Sequence, residues 1–505
     1  MNVSAAPPDK VDATVRHLAA QSSNGVNVLI TRRSTSGVLN TLNAHHAQIR
    51  RQLKIGDMVA ATVAPGDLDA IAADPDVVRI AYDAPMQVTS APDPLTLTAN
   101  LKTVYPMAVQ TGQAWNAATP LRGTGVGIAI LDSGINGTNL DFMNGALNGK
   151  SAANRITAQQ DEIATSSGGT GDDYGHGTWV SGIAAGRGWS TATTTTEGQY
   201  IGIAPDANLI EVKVADVHGQ SLESDVVNAL QWVTDNAATY NIRVVNLSLV
   251  SSVAESYTTS NLDAAVEMAW LKGIVVVVAA GNSGPNTEQY APANDPYVIT
   301  VGATDDQGTA STADDQLTWW SSYGTTQDGF AKPELVAPGR HIVGPLAGSS
   351  ANLAAEFPNN IVGPKGLYIS LSGTSAAAPI VTGVVADLLQ ARPTLQPNDV
   401  KGILMASALP IVGAGTGAGY PQLLNAVNLT GTHVANAGLV PNNYLAAAGC
   451  QTLPSGTNCA QANWNTVSWN TVSWNTVSWN TVSWNTVSWN TVSWNTVTPN
   501  NVAGI

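Results

Sequence analysis

Four residues in four short glycine-bearing segments are of types that together can break a stable acyl bond. Asp132 ends the apolar run GVGIAIL and begins the turn Asp132-Ser133-Gly134. His176 lies between glycines in GHGTWVSGIAAG, at the expected start of a helix of small residues. Asn282 follows GIVVVVAA in Ala280-Gly281-Asn282-Ser283-Gly284, and Ser375 lies in SGTSAAAP just ahead of an apolar helix expected over 380–390. An amide is a poor electrophile. Its hydrolysis needs an activated nucleophile, a proton shuttle, a carboxylate to orient the shuttle, and donors for the tetrahedral oxyanion. Ser375, His176, Asp132 and Asn282 are residue types for those four tasks, and the N–H groups at the start of the Ser375 helix would favour negative charge. Pro379 suits a first helical turn, where its missing N–H costs nothing. Taken singly, each segment has an ordinary structural explanation as a turn or a tight packing point.

The elements that must position these residues are legible in the apolar pattern. From about residue 105 to 430, all-apolar runs (GVGIAIL, LIEVKV, RVVNLSL, GIVVVVAA, YVITVGA) alternate with amphipathic stretches, which predicts an α/β fold whose mainly parallel sheet is buried on both faces by helices. In such sheets functional residues gather at the carboxyl ends of strands. Ahead of it, residues 25–83 read as a small α+β module with a β-α-β-α-β rhythm, including a helix over 38–53. Residues 1–24 form an N-terminal segment, and 84–104, rich in Pro, Thr and Ala, a linker. Residues 431–463 form a second linker, which carries Cys450 and Cys459, close enough for one short-loop disulfide in an oxidising compartment. Residues 464–498 repeat the pentapeptide WNTVS, and half of the 14 tryptophans lie there. An odd period sends successive Trp to opposite faces of a strand, so neither face is a clean core. A structureless low-complexity tail and a surface-attaching repeat both fit.

Taken together and in order, LDSG, GHGTWVSG, AAGNSG and SGTSAAAP resemble the subtilisin-like serine proteases, over about residues 123–429. The resemblance implies a three-layer fold, an Asp132/His176/Ser375 triad acting on polypeptide substrates, Asn282 as oxyanion donor, and no required cofactor. It also implies a substrate-flanking strand at Ser248, Leu249 and Val250, where Val250 stands in place of the usual glycine, facing a pocket wall of Ala279, Ala280 and Gly281. Asp141 matches a position that ligates a structural calcium ion in many members, although the residues after Gly186 offer no clear set of further oxygen ligands. Residues 25–83 resemble, by position and pattern, the family's inhibitory propeptide, so the chain is expected to be a zymogen that cuts itself.

Charge and hydropathy exclude other classes. The first ninety residues are neutral and the net charge of −15 falls after them, with no basic cluster to offset it, so nucleic acid is not an expected partner. No apolar run approaches the ~20 residues of a membrane span. A secreted protein is expected, although MNVSAAPPDK lacks the pattern of a signal peptide. The rival expectation is an inert protease-like scaffold that attaches to cell surfaces through the Trp repeat.

Overall fold

The structure is a computed structural model that describes residues 10–22, 24–33, 35–53, 58–82, 101–144, 153–163, 169–189, 198–447, 451–453 and 456–458. The linker over 84–100, both cysteines and the WNTVS repeat lie outside the described residues. The chain divides into two compact units, Met1–Ser90 and Ala91–Ile505.

The first unit is an antiparallel four-stranded sheet with helices. Its elements run α1 (Ala13–Gln21), β1 (Val26–Arg32), α2 (Thr35–Ala44), β2 (Gln48–Leu53), β3 (Met58–Val63), α3 (Leu68–Ala72) and β4 (Val77–Tyr82), with strand order β2-β3-β1-β4. The helix expected over 38–53 is therefore half helix and half strand. His46 takes a left-handed conformation, φ 52°, which ends α2, and the following residues pair with β3 in the register Gln48↔Thr62 to Leu53↔Met58. The core joins Val28, Ile30, Val38, Leu42, Val59, Val63, Ile71 and Ile80 to Val15 of α1, so the compact unit takes in residues before 25.

Among the described residues, the second unit is built on one eight-stranded sheet. Its strands are β5 (Gly127–Asp132), β6 (Ile156–Asp161), β7 (Asn208–Lys213), β8 (Ile242–Leu247), β9 (Val275–Ala279), β10 (Ile299–Asp305), β11 (Gln316–Leu317) and β12 (Leu335–Pro338), in the order β11-β10-β9-β8-β5-β7-β6 with β12 also on β10. All pair in parallel except β10 with β11. Strands β5 and β9 are buried at every position, as their unbroken apolar runs require. Helices α4 (His176–Ala185) and α7 (Thr374–Ala391) pack on each other and on the sheet, and α5 (Glu223–Tyr240) and α6 (Asn261–Leu271) do likewise. This is the three-layer α/β arrangement. Helix α7 is apolar and long enough to cross a bilayer by composition, yet 83% of it is buried inside the unit, which makes it the central core helix.

Several charges are buried with it. Lys332 and Lys401 both reach Glu334, at 2.8 and 2.9 Å. Glu288 has no exposed surface and, among the described residues, no donor on either carboxylate oxygen, and burial, relieved in part by Lys332 and reinforced by Glu334, pushes it up to about 8.

Candidate active site

Strand β5 delivers Asp132 to the carboxyl edge of the sheet, with 2% of its side chain exposed. His176, the first residue of α4, lies against it: Nδ1 is 2.8 Å from Asp132 Oδ1 and 3.0 Å from Oδ2. Burial alone would pull the imidazole down, but the charge and hydrogen bond of Asp132, with Asp172 behind, outweigh it and hold His176 above its ordinary value. The approach of helix to turn depends on Gly177. A Cβ there would sit 2.1 Å from the Gly134 carbonyl oxygen and 3.1 Å from Asp132 Cβ, so any side chain would force the two apart.

Asp172 holds the same junction and was not singled out by sequence. Its Oδ1 accepts from Gly175 N–H at 2.7 Å and from the Ser133 hydroxyl at 2.8 Å, while Oδ2 accepts from Thr178 N–H at 2.8 Å. Ser133 Oγ in turn accepts from Gly177 N–H at 2.9 Å. One carboxylate thus caps the start of α4 and ties it to the residue after Asp132. An Asp just ahead of an expected helix start was the available signal.

Strand β9 ends at Ala279, and Gly281, at φ 104°, turns the chain so that Asn282 is exposed beyond the strand end. The amide of Asn282 is oriented by Thr374: its Oδ1 accepts from Thr374 N–H at 2.9 Å and from Thr374 Oγ1 at 3.1 Å. The same hydroxyl oxygen accepts from Gly281 N–H at 3.1 Å. With Oδ1 committed, the two Nδ2 protons are left for the other side, and Nδ2 is 3.5 Å from where a side chain on Gly373 would begin.

Ser375 is the second residue of α7, partly exposed, where helical N–H groups lack intrahelical partners. Pro379 is not in the first turn, as expected, but inside the helix, because α7 begins at Thr374. A proline there cannot donate to the carbonyl four residues back, which is that of Ser375 itself. Ser248 Oγ supplies a donor to that carbonyl at 3.4 Å; Ser248 Oγ accepts from Asn246 Nδ2 at 3.0 Å, and Asn246 Oδ1 accepts from Thr382 Oγ1 at 3.0 Å. Ser248, expected to flank substrate, turns its side chain into this buried network. Leu249 and Val250 follow β8, with Val250 48% exposed, and β8 pairs with β9 as Leu247↔Val278, so residues 248–250 lie beyond the end of β8 beside Ala279, the last residue of β9, and residues 280–281 that follow it. Among the described residues, no three His, Cys, Asp or Glu side chains converge on a metal position.

Comparison with known proteins bears on the same region. The model of the Subtilase family matches residues 123–438. The chain is similar to serine protease AprX of Bacillus subtilis, with 34% identity over 353 residues covering 68% of this chain and 72% of that protein. It is similar also to an extracellular serine proteinase of a Thermus species, with 31% identity over 366 residues covering 72% and 74%. Among solved structures, an S41 psychrophilic protease aligns at 26% identity and a TM-score of 0.49, covering 64% of this chain and 99% of that one.

Proposed function

From the premise that the chain belongs to the subtilase family and is a serine endopeptidase, we propose that Asp132, His176 and Ser375 are its triad and Asn282 its oxyanion donor. The observation that carries the reading is the His176 Nδ1 contact with both Asp132 oxygens at the carboxyl edge of the sheet. It commits Nδ1–H to the carboxylate and leaves Nε2 as the basic nitrogen. Ser375 Oγ attacks the peptide carbonyl carbon and passes its proton to His176 Nε2. The carbonyl oxygen becomes an oxyanion that accepts from Asn282 Nδ2 and the Ser375 N–H. Collapse breaks the C–N bond as His176 protonates the leaving amine, and a water molecule then repeats the sequence on the acyl-enzyme. The Asp132 carboxylate stabilises the imidazolium. Substrate lies extended along residues 248–250 and 279–281, held by main-chain hydrogen bonds that tolerate many sequences.

A fluorophosphonate probe should label Ser375 in the wild type and leave Ser375→Ala unlabelled. An unlabelled, correctly folded wild type would favour the inert, surface-attaching scaffold instead.

Residues 25–83 serve in this reading as an inhibitory propeptide, removed by a cut within 84–104. A peptide tethered to its own protease is at high effective concentration, so cleavage should be intramolecular. Ser375→Ala should therefore accumulate at the full 52.0 kDa, and trimming of that purified variant at the same linker would assign processing to another protease. An extracellular location is supported by the Thermus relative, which is named as an extracellular enzyme.

A further inference from the structure

Asp141 holds the position at which the family resemblance implies a calcium ligand. A calcium ion collects six to eight oxygens about one point. Two of the three oxygens of Asp141 are engaged by protein donors. Its Oδ1 accepts from Trp189 N–H and, at 3.3 Å, from the Tyr368 hydroxyl. Its main-chain carbonyl accepts from Arg155 Nη2 at 2.8 Å and from Arg187 N–H at 3.1 Å.

Arg155 draws this corner together. Only 1% exposed, it donates from Nη1 to the Ala207 carbonyl at 2.8 Å and from Nη2 to the Ala185 carbonyl at 2.6 Å, besides the bond to Asp141. Ala185 is the last residue of α4, so its carbonyl is one of the acceptors left without a helical partner, at the negative end of the helix dipole. Three carbonyls from three separate segments meet one planar cation whose donors point in fixed directions, an arrangement a guanidinium meets well. Beside it Arg187 donates to the Pro205 carbonyl at 3.0 Å, pairs with Asp206, and lies 5.0 Å from the centre of the Trp189 ring. Burial, then the charge of Arg187, pushes Arg155 down to about 9 against the pull of Asp206 and Asp141, which leaves it cationic at neutral pH.

We propose that the Arg155 guanidinium is the resident cation of this corner, joining the Asp141 turn, the end of α4 and the approach to β7, and that Asp141 binds no calcium ion. The residues present do not fit the metal: protein donors already engage Asp141 Oδ1 and its main-chain carbonyl, and the carbonyls of Ala185 and Ala207 face the guanidinium.

Thermal unfolding of the full-length Ser375→Ala protein, which cannot digest itself, tests this in EDTA and in added calcium. The transition should be unmoved by calcium. Arg155→Met in that background should unfold about 5–10 °C lower, as expected when one partner of a buried charge-assisted network is lost, and calcium should not restore it. Arg155→Lys should recover part of the loss, because it keeps the charge without the fork. A rise with calcium that Asp141→Asn abolishes would overturn the proposal, and so would an unchanged transition in Arg155→Met. A rise that survives Asp141→Asn would locate the ion elsewhere and support it. Should Arg155→Met fail to fold, calorimetric titration of calcium into the parent decides: binding that Asp141→Asn abolishes sinks the idea, and its absence supports it.

Discussion

Thr374→Val probes how Asn282, the proposed oxyanion donor, is aimed. Thr374 is 1% exposed, and valine keeps its shape while deleting the hydroxyl. Asn282 Oδ1 then loses one of two bonds, keeping that from Thr374 N–H, and Gly281 N–H loses its acceptor. A neutral hydrogen bond contributes about 0.5–1.5 kcal/mol net, and an orphaned buried donor costs about 1–3 kcal/mol. If the first figure appears as the amide's preference for its productive orientation, kcat falls by about 2- to 13-fold at ~1.4 kcal/mol per tenfold. Stability falls by the second. KM should stay near the parent value, because the oxyanion exists only in the transition state. Asn282→Ala, which removes the donor outright, should cost roughly 10²–10³-fold in kcat. The assay is steady-state hydrolysis of a chromogenic peptide anilide by the parent, both single variants and the double variant, with urea unfolding in parallel. The decisive result is the double variant: in the Asn282→Ala background Thr374→Val should add little to the loss of kcat. A full second loss there would mean that Thr374 acts on something other than Asn282, and the orientation argument would fail.

Asp132→Asn should lower kcat by about 10⁴-fold with little change in KM, since it leaves the geometry but disrupts the imidazole tautomer; a loss under tenfold would refute Asp132 as the orienting carboxylate. Because Asp132 holds His176 above its ordinary value, the acid limb of kcat/KM should lie above that of a free imidazole, and a limb at or below it would count against the pairing. Glu288 is raised from 4.5 to about 8, so the folded state retains a proton that the unfolded chain has lost, and stability should decline as pH rises through that window and level above it. Glu288→Gln should flatten that decline, measured by urea unfolding at several pH values; an unaltered slope would assign it to other groups. Cys450 and Cys459 flank a hairpin that pairs Gln451 with Asn458, so peptide mapping without reductant should find them joined, and two free thiols in protein from an oxidising compartment would refute this.

What the sequence made legible was whatever is written locally. Runs such as GIVVVVAA announce a strand buried on both faces, and the glycines beside Asp132, His176 and Asn282 announce close approach, so the strands were legible, with Asp132 and Asn282 at strand ends and His176 at a helix start. Bonds between remote segments were not legible. Nothing near Thr374 shows that its hydroxyl will meet Asn282, and nothing near Arg155 shows that carbonyls from Asp141, Ala185 and Ala207 will meet there. The stretch after His46 reads locally as more helix, and its pairing with β3 is a tertiary decision. Pro379 is a local helix-start signal that lies inside α7, because the compensating donor, Ser248, arrives from beyond the end of β8.

The sheet order has a consequence for how the chain is made. Strand β5, first in sequence, ends up between β8 and β7, and Asp132 and Ser375 are separated by nearly half the chain's length. Folds dominated by such distant pairings close slowly, because the entropy of long loops is lost before the contacts that reward it form. A ribosome-bound chain therefore holds Asp132, His176 and Asn282 before Ser375 has been synthesised, and the four can meet only after the core helix α7 is complete. Topology in this sense sets a timer on the proposed triad: a nascent chain that ends before α7 lacks Ser375, and hydrolysis waits for that helix to be made.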